Sequence, residues 1–147
     1  MANVSEIQQA KKWIYDSLIA NADILAAVST RVYADYNPRT LPERVFPYII
    51  YNYLGGTDVD ALGTARLFSE PLFQVRVVCE GHPTTSVRLV EKRIDDVLQV
   101  ARYQLSGDWY FTSRREQPVD RTEEDSATGR RFHNLGGIYR LWIGTST

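Results

Sequence analysis

Read for the spacing of its apolar side chains, the chain opens with Ile7, Ala10, Ile14 and Leu18 on one helical face. Trp13 stands beside them, and Lys11, Lys12 and Asp16 are left for solvent. This spacing predicts an amphipathic helix over 4–18. Asn21 and Asp23 interrupt it, Ile24 to Val28 predicts a further short helical stretch, and Arg31 to Tyr36 turns extended. Asn37, Pro38 and Pro42 mark a loop. In FPYIIYNYLGG, residues 46–56, both alternations are apolar or aromatic, which predicts a strand covered on both sides and ended by Gly55 and Gly56. TDVDALGTARLFS, residues 57–69, has no clean period and predicts a long loop or a ragged hairpin connection.

PLFQVRVVCE alternates, with Phe73, Val75, Val77 and Cys79 on the buried side of a strand and Gln74 and Arg76 on the other. Gly81, His82 and Pro83 break it. A capping hydroxyl from Thr84 or Thr85 then starts the main core helix, whose apolar positions Val87, Val90, Ile94, Val97, Leu98 and Ala101 follow a helical repeat. Ser106 and Gly107 close the segment. Trp109 to Asp120 and Ile138 to Ile143 alternate as two strands, and between them lies PVDRTEEDSATGRRFH, dense in acids and arginines. If the two strands pair, each arm is about twelve residues, or roughly 40 Å at ~3.3 Å per residue. A domain of this size has a radius of gyration near ~15 Å. The polar composition of the far half favours a hairpin arm that projects from the body at about 113–131.

At 147 residues the chain is one domain by length, long enough to bury a core without a covalent staple. The formal net charge of −1 gives no whole-chain attraction to nucleic acid or to an anionic membrane. The single cysteine, Cys79, excludes an intramolecular disulfide and multi-cysteine metal sites and fits a reducing compartment. No secretory signal and no membrane-length apolar run is present, so a soluble, intracellularly made protein is expected. Arginine outnumbers lysine fourteen to three, and nine tyrosines and three tryptophans accompany it. That mixture is enriched where proteins meet proteins, although genomic codon bias explains an arginine excess equally well.

Catalytic patterns are weak. Asp120, Glu123, Glu124 and Asp125 lack the apolar surroundings that would shift a carboxyl pKa for acid–base work. Cys79 lies on an inward strand face, where a cysteine acts as a small hydrophobe, and His82 and His133 have no patterned carboxylate partner. Asp58 and Asp60 form a D-x-D pair that nothing downstream completes as a calcium loop. The glycines at 55–56 and 136–137 lack phosphate-loop spacing. Arg114, Arg115, Arg130 and Arg131 are interleaved with acids, a mixture suited to salt-bridged protein contacts rather than phosphates.

In order, the N-terminal helix leading into ILAAVSTRVY, FPYIIY ahead of a glycine turn, FQVRVVCEG, SVRLVEKRIDDVL and the closing GIYRLWIG resemble the tail-completion or tail-terminator proteins of long-tailed bacteriophages over about Ile7 to Gly144. The resemblance implies an α+β fold: a mostly antiparallel sheet with two main helices packed on it, here with a long C-terminal hairpin. It implies a virion structural protein with no enzyme activity and no cofactor, assembled in the host cytoplasm. Six copies would form a ring at the head-proximal end of the tail, capping the tail tube and joining it to the head connector, with genome DNA passing through the lumen without specific binding and no membrane involved. A ring needs heterologous contacts. Arg114, Arg115, Asp120, Arg121, Glu123, Glu124, Asp125, Arg130 and Arg131 of the arm, with Asp58, Asp60 and Arg66 of the preceding loop, are the expected interface residues. Two other readings compete: a small intracellular binding domain with a pocket near the 55–69 loop, and a metal-dependent hydrolase using Asp58, Asp60 and a histidine.

Overall fold

The computed structural model describes residues 5–60, 66–104 and 109–145. In chain order its elements are α1 (Glu6–Ala20), α2 (Ala22–Val28), β1 (Val32–Ala34), a short turn of 3-10 helix at Leu41–Glu43, β2 (Tyr48–Asp60), β3 (Arg66–Glu80), α3 (Thr85–Leu98), β4 (Val100–Gln104), β5 (Trp109–Glu124) and β6 (Arg131–Thr145). Among the described residues the strands form one sheet in the order β1-β2-β3-β6-β5-β4. β1 pairs parallel to β2, and every other neighbour is antiparallel. The fold is α+β.

Local chemistry sets the helix starts. Ser5 caps α1 by accepting from the Gln8 amide while the Gln8 side chain accepts from the Ser5 amide, which satisfies two otherwise orphaned donors. Asn21 interrupts the expected N-terminal helix by serving as the cap of α2. Thr84 supplies the predicted hydroxyl for α3, accepting from the Val87 amide at 3.3 Å. α3 stops at Leu98, earlier than its apolar repeat suggests, and Ala101 lies exposed in β4. Val4, Ser106 and Gly107, expected to begin one helix and to close the helical segment, lie outside the described residues.

The helices cover one face of the sheet. Ala10, Trp13, Ile14 and Leu18 of α1, Ile24 and Val28 of α2, and Val87, Val90, Ile94 and Leu98 of α3 pack on Ile49, Tyr51, Phe73, Val75, Val77, Cys79, Leu135, Tyr139, Leu141 and Ile143. Trp13 meets Phe111 edge-on with ring centroids 4.3 Å apart. The opposite face holds a smaller cluster of Tyr48, Ile50 and Val78 under Tyr33, Phe46 and Phe132. Residues 48–51 are therefore buried from both sides, as their double alternation predicted.

Two expectations are corrected. Gly55 and Gly56 do not end β2: the strand continues to Asp60 through an irregularity between Tyr53 and Gly55. Gly55 has φ +123°, and a Cβ on Gly56 would stand 2.5 Å from the Glu70 carbonyl oxygen. The glycines thus permit a bulge inside a continuing strand. Residues 57–60 and 66–69 are paired ends of the β2–β3 hairpin, with Asp60 opposite Arg66, which is the hairpin form of the connection expected there. Finally, the C-terminal hairpin does not project. β6 pairs with β5 from Arg131 to Thr145 and with β3 from Phe132 to Gly144, so its far half is central sheet. Asn134 and Leu135 are fully buried there, and Val119 is buried in β5. The polar sequence of β5 belongs to a solvated sheet edge, which looks like a free arm when strand order is unknown.

Leu135→Ala is expected to cost about 2–5 kcal/mol through the cavity it leaves. At Gly136, whose added Cβ would lie 2.0 Å from the Val75 carbonyl oxygen, Ala is expected to cost roughly 1–3 kcal/mol by forcing β6 from β3. Urea unfolding midpoints measure both, and an unchanged midpoint for Gly136→Ala would contradict the β3–β6 register.

Candidate interaction surface

Period-two alternation of β5 and β6 puts their core residues under the helices and Arg114, Arg140 and Trp142 on the bare face. On that face Arg140 lies between two carboxylates, hydrogen-bonded to Glu116 and 3.6 Å from Glu70. The Trp142 indole N–H donates to Glu70 at 2.7 Å, and the Arg114 guanidinium stacks 5.1 Å above the Trp142 ring. The hydrogen bond from Arg140 holds the Glu116 carboxyl below the ordinary carboxylate range. This row fixes side-chain orientation more than it stabilises the fold, since exposed ion pairs contribute only about 0–1 kcal/mol each.

The outer edge of β5 is the second feature. β4 pairs with β5 only between Tyr110 and Ser113, and the Gln99 side chain accepts the next free amide, that of Arg115. From Glu116 to Glu124 the described residues give this edge no strand partner. Pro118 lacks an amide hydrogen, and charged Asp120, Arg121, Glu123 and Glu124 follow it. Both features discourage pairing of the bare edge with another strand.

The expected interface residues sort into two groups. Some are engaged within their own globule: Arg115 lies 3.8 Å from Asp95 of α3, Asp120 contacts the His133 Nε2 at 2.5 Å, and Asp58 accepts from the Ser69 hydroxyl at 2.7 Å. Arg130 donates twice to Glu80, at 2.9 and 2.8 Å. Asp125 closes the β5–β6 turn, accepting from the Thr128 hydroxyl at 2.6 Å and from the Ala127 amide at 3.4 Å. The others stand at the surface. Arg121 pairs only with its strand neighbour Glu123, at 3.2 Å, and Glu124 and Arg131 are exposed. The backbones of Asp60 and Arg66 are register partners, and their side chains lie outside the described residues.

The sequence marked the connection between β1 and β2 as a loop but did not disclose what it exposes. The connection leaves Tyr36 70% exposed and Val45 53% exposed, the two highest values among large apolar side chains of the described residues. Arg39 is exposed beside them, and Arg44 donates from Nε to the Arg39 carbonyl at 2.9 Å. Tyr36 and Arg44 form one wall of a groove of about 220 Å³, floored by Ile50, Arg76 and Asn134, with Glu123 on its far side. Arg76 donates to the Asn134 carbonyl oxygen across that floor. No periodicity could mark Tyr36 or Val45, because each sits alone in irregular chain.

Among the described residues there is no group of three or more His, Cys, Asp or Glu side chains placed to hold a metal ion, and no helix is long and apolar enough to cross a membrane.

No protein family model matches the chain, and no curated protein matches it. Among solved structures, a chain described as "Virion of native gene transfer agent (GTA) particle" is similar, with a TM-score of 0.57 and 17% sequence identity. The likeness covers 89% of this chain and 91% of that one, so the two share a fold over nearly their whole lengths.

The turn has a predictable acid response. Arg130 holds Glu80, and the Thr128 hydroxyl holds Asp125, below the ordinary carboxylate range. A lowered folded-state pKa contributes stability above the unfolded value, about 4, and that contribution is lost as the pH falls through the folded value. Acidification below about pH 4 should therefore reduce amide protection at residues 125–130 before it reduces protection around Leu135. Simultaneous loss at both places would show that these contacts do not hold the turn.

Proposed function

We propose that this chain is a virion structural protein, a tail terminator whose copies, six in number, form a ring that caps the tail tube and joins it to the head connector. The observation that carries the reading is the fold shared, across nine-tenths of both chains, with a chain of a gene transfer agent virion. The order of sequence elements resembling phage tail-completion proteins supports it independently. In this reading the chain acts by shape and contact, not catalysis. It is assembled in the host cytoplasm and resides at the head-proximal end of the tail, with DNA passing through the lumen without specific readout.

The charged surface suits such a role. Salt-linked rows like Glu70–Arg140–Glu116 present fixed charges of both signs, and mixed signs set the register of protein contacts through complementary pairing. The β5–β6 hairpin contributes its outer edge and its turn, held against the body, in place of a long reach. Residues Arg121, Glu123, Glu124 and Arg131 are the members of the expected interface set left facing outward, and Asp120, though bonded to His133, keeps 64% of its side chain exposed.

Light scattering and negative-stain imaging of the purified chain, alone and mixed with tail tube protein, test the proposal. The expected result is a six-membered ring, either free or seated on the tube end. A chain that stays monomeric in both samples and binds a small molecule in the groove beside Arg76 would replace this reading with that of a ligand-binding domain.

A further inference from the structure

We infer that the β1–β2 connection, presented by Tyr36, Arg39, Arg44 and Val45, docks on the acidic outer edge of β5, at Asp120, Glu123 and Glu124, in a second copy of this chain. The inference rests on the ring reading and specifies which two surfaces meet.

The argument begins with position. The connection leaves and re-enters the sheet at its β1–β2 margin, whereas β5 lies near the opposite margin. Following the paired residues across the sheet, Tyr48 is opposite Val78, Val78 opposite Asn134 and Asn134 opposite Arg121. The start of β2 and the open part of β5 are therefore at the same end of the strands. Two different patches, rising on either side of the groove above Ile50, Arg76 and Asn134, make a heterologous contact when they belong to different copies.

Composition is the second step. The connection holds the exposed Tyr36 and Val45 next to two arginines, and neither Arg39 nor Arg44 forms an ion pair among the described residues. Aromatic and arginine side chains are the residues that most often anchor interfaces. From 36 to 45 the charges are Arg39, Arg44 and Glu43, a net +1; from 116 to 124 they are Glu116, Asp120, Glu123, Glu124 and Arg121, a net −3. The signs are complementary.

One alternative partner for the β5 edge is the open edge of β2 beyond its pairing with β1, which ends at Tyr51. That segment carries Asp58 and Asp60 and no cation, so it would meet the acids of β5 with like sign. Pro118 further disfavours strand-to-strand pairing there. Contact through side chains from an arginine-bearing loop satisfies both constraints.

Cysteine trapping tests the contact with the full chain, whose own Cys79 is buried. An equimolar mixture of the Arg39→Cys and Glu124→Cys variants should give a covalent dimer under mild oxidation, while each variant alone gives at least tenfold less. In parallel, light scattering should show that Arg39→Glu with Arg44→Glu breaks the ring, as should Asp120→Lys with Glu123→Lys and Glu124→Lys. Mixing the two reversed chains should restore association, an outcome that misfolding could not produce. A ring that survives both reversals, with no excess dimer from the cysteine mixture, overturns this inference and leaves the ring reading standing. A wild-type chain that is monomeric with and without tail tube protein, and a cysteine mixture that gives no dimer, overturns both.

Discussion

β6 is the last strand of the chain and lies between β3 and β5, hydrogen-bonded to both. Without it the sheet would be two separate pieces: β1, β2 and β3 on one side, β4 and β5 on the other. Its pairing with β3 joins segments far apart in sequence, so loop-closure entropy opposes it until burial repays the cost. Leu135, Tyr139, Leu141 and Ile143 supply that burial from one strand. At roughly 1.5–3 kcal/mol for each large apolar side chain, they offset a closure cost that grows only slowly with loop length. The Tyr139 hydroxyl, donating to Asp95 at 3.1 Å, also ties β6 to α3, the helix that intervenes between β3 and β6 in the chain.

Much of this was legible because helices and half-buried strands impose different periods. The faces of α1 and α3, the two-sided burial of residues 48–51 and the inward row Phe73, Val75, Val77 and Cys79 all follow from spacing alone. The misreadings share one cause, which is that local pattern is blind to neighbours. A glycine pair looks like a stop, yet at Gly56 the partner carbonyl of Glu70 accounts for the missing side chain. Ala101 continues a helical repeat, yet pairing with β5 takes the chain into β4 at Val100. The charge-dense run after Pro118 looks like a free arm because one flank of β5 is water, while its other flank rests on the central strand. Of the expected interface residues, the sequence could give the charges but not their internal partners: nothing before the fold links Arg130 to Glu80 or Arg115 to Asp95.

The division of labour between the sheet's two faces organises the surface. Helices cover the core of one face, and the other carries a small aromatic cluster at one end and the Arg140 row at the other. The open stretches of β2 and β5 are both acidic. Like sign on these two stretches opposes their pairing with each other, a hazard that any long exposed strand brings. What remains available for contact is chemically selective, since an approaching surface must bring cations to β5 or accept the arginines and aromatic ring of the β1–β2 connection.

Arg130 shows what an arginine supplies that a lysine would not. Its guanidinium spans both carboxylate oxygens of Glu80 while lying 5.9 Å from the Phe46 ring centre and 5.6 Å from that of Phe132. A planar, delocalised cation can form a two-pronged hydrogen bond in its plane and present a flat surface to aromatic rings; an ammonium group is a point charge and offers no such plane. At this corner the nominally conservative exchange to lysine would therefore be a change of geometry at constant charge.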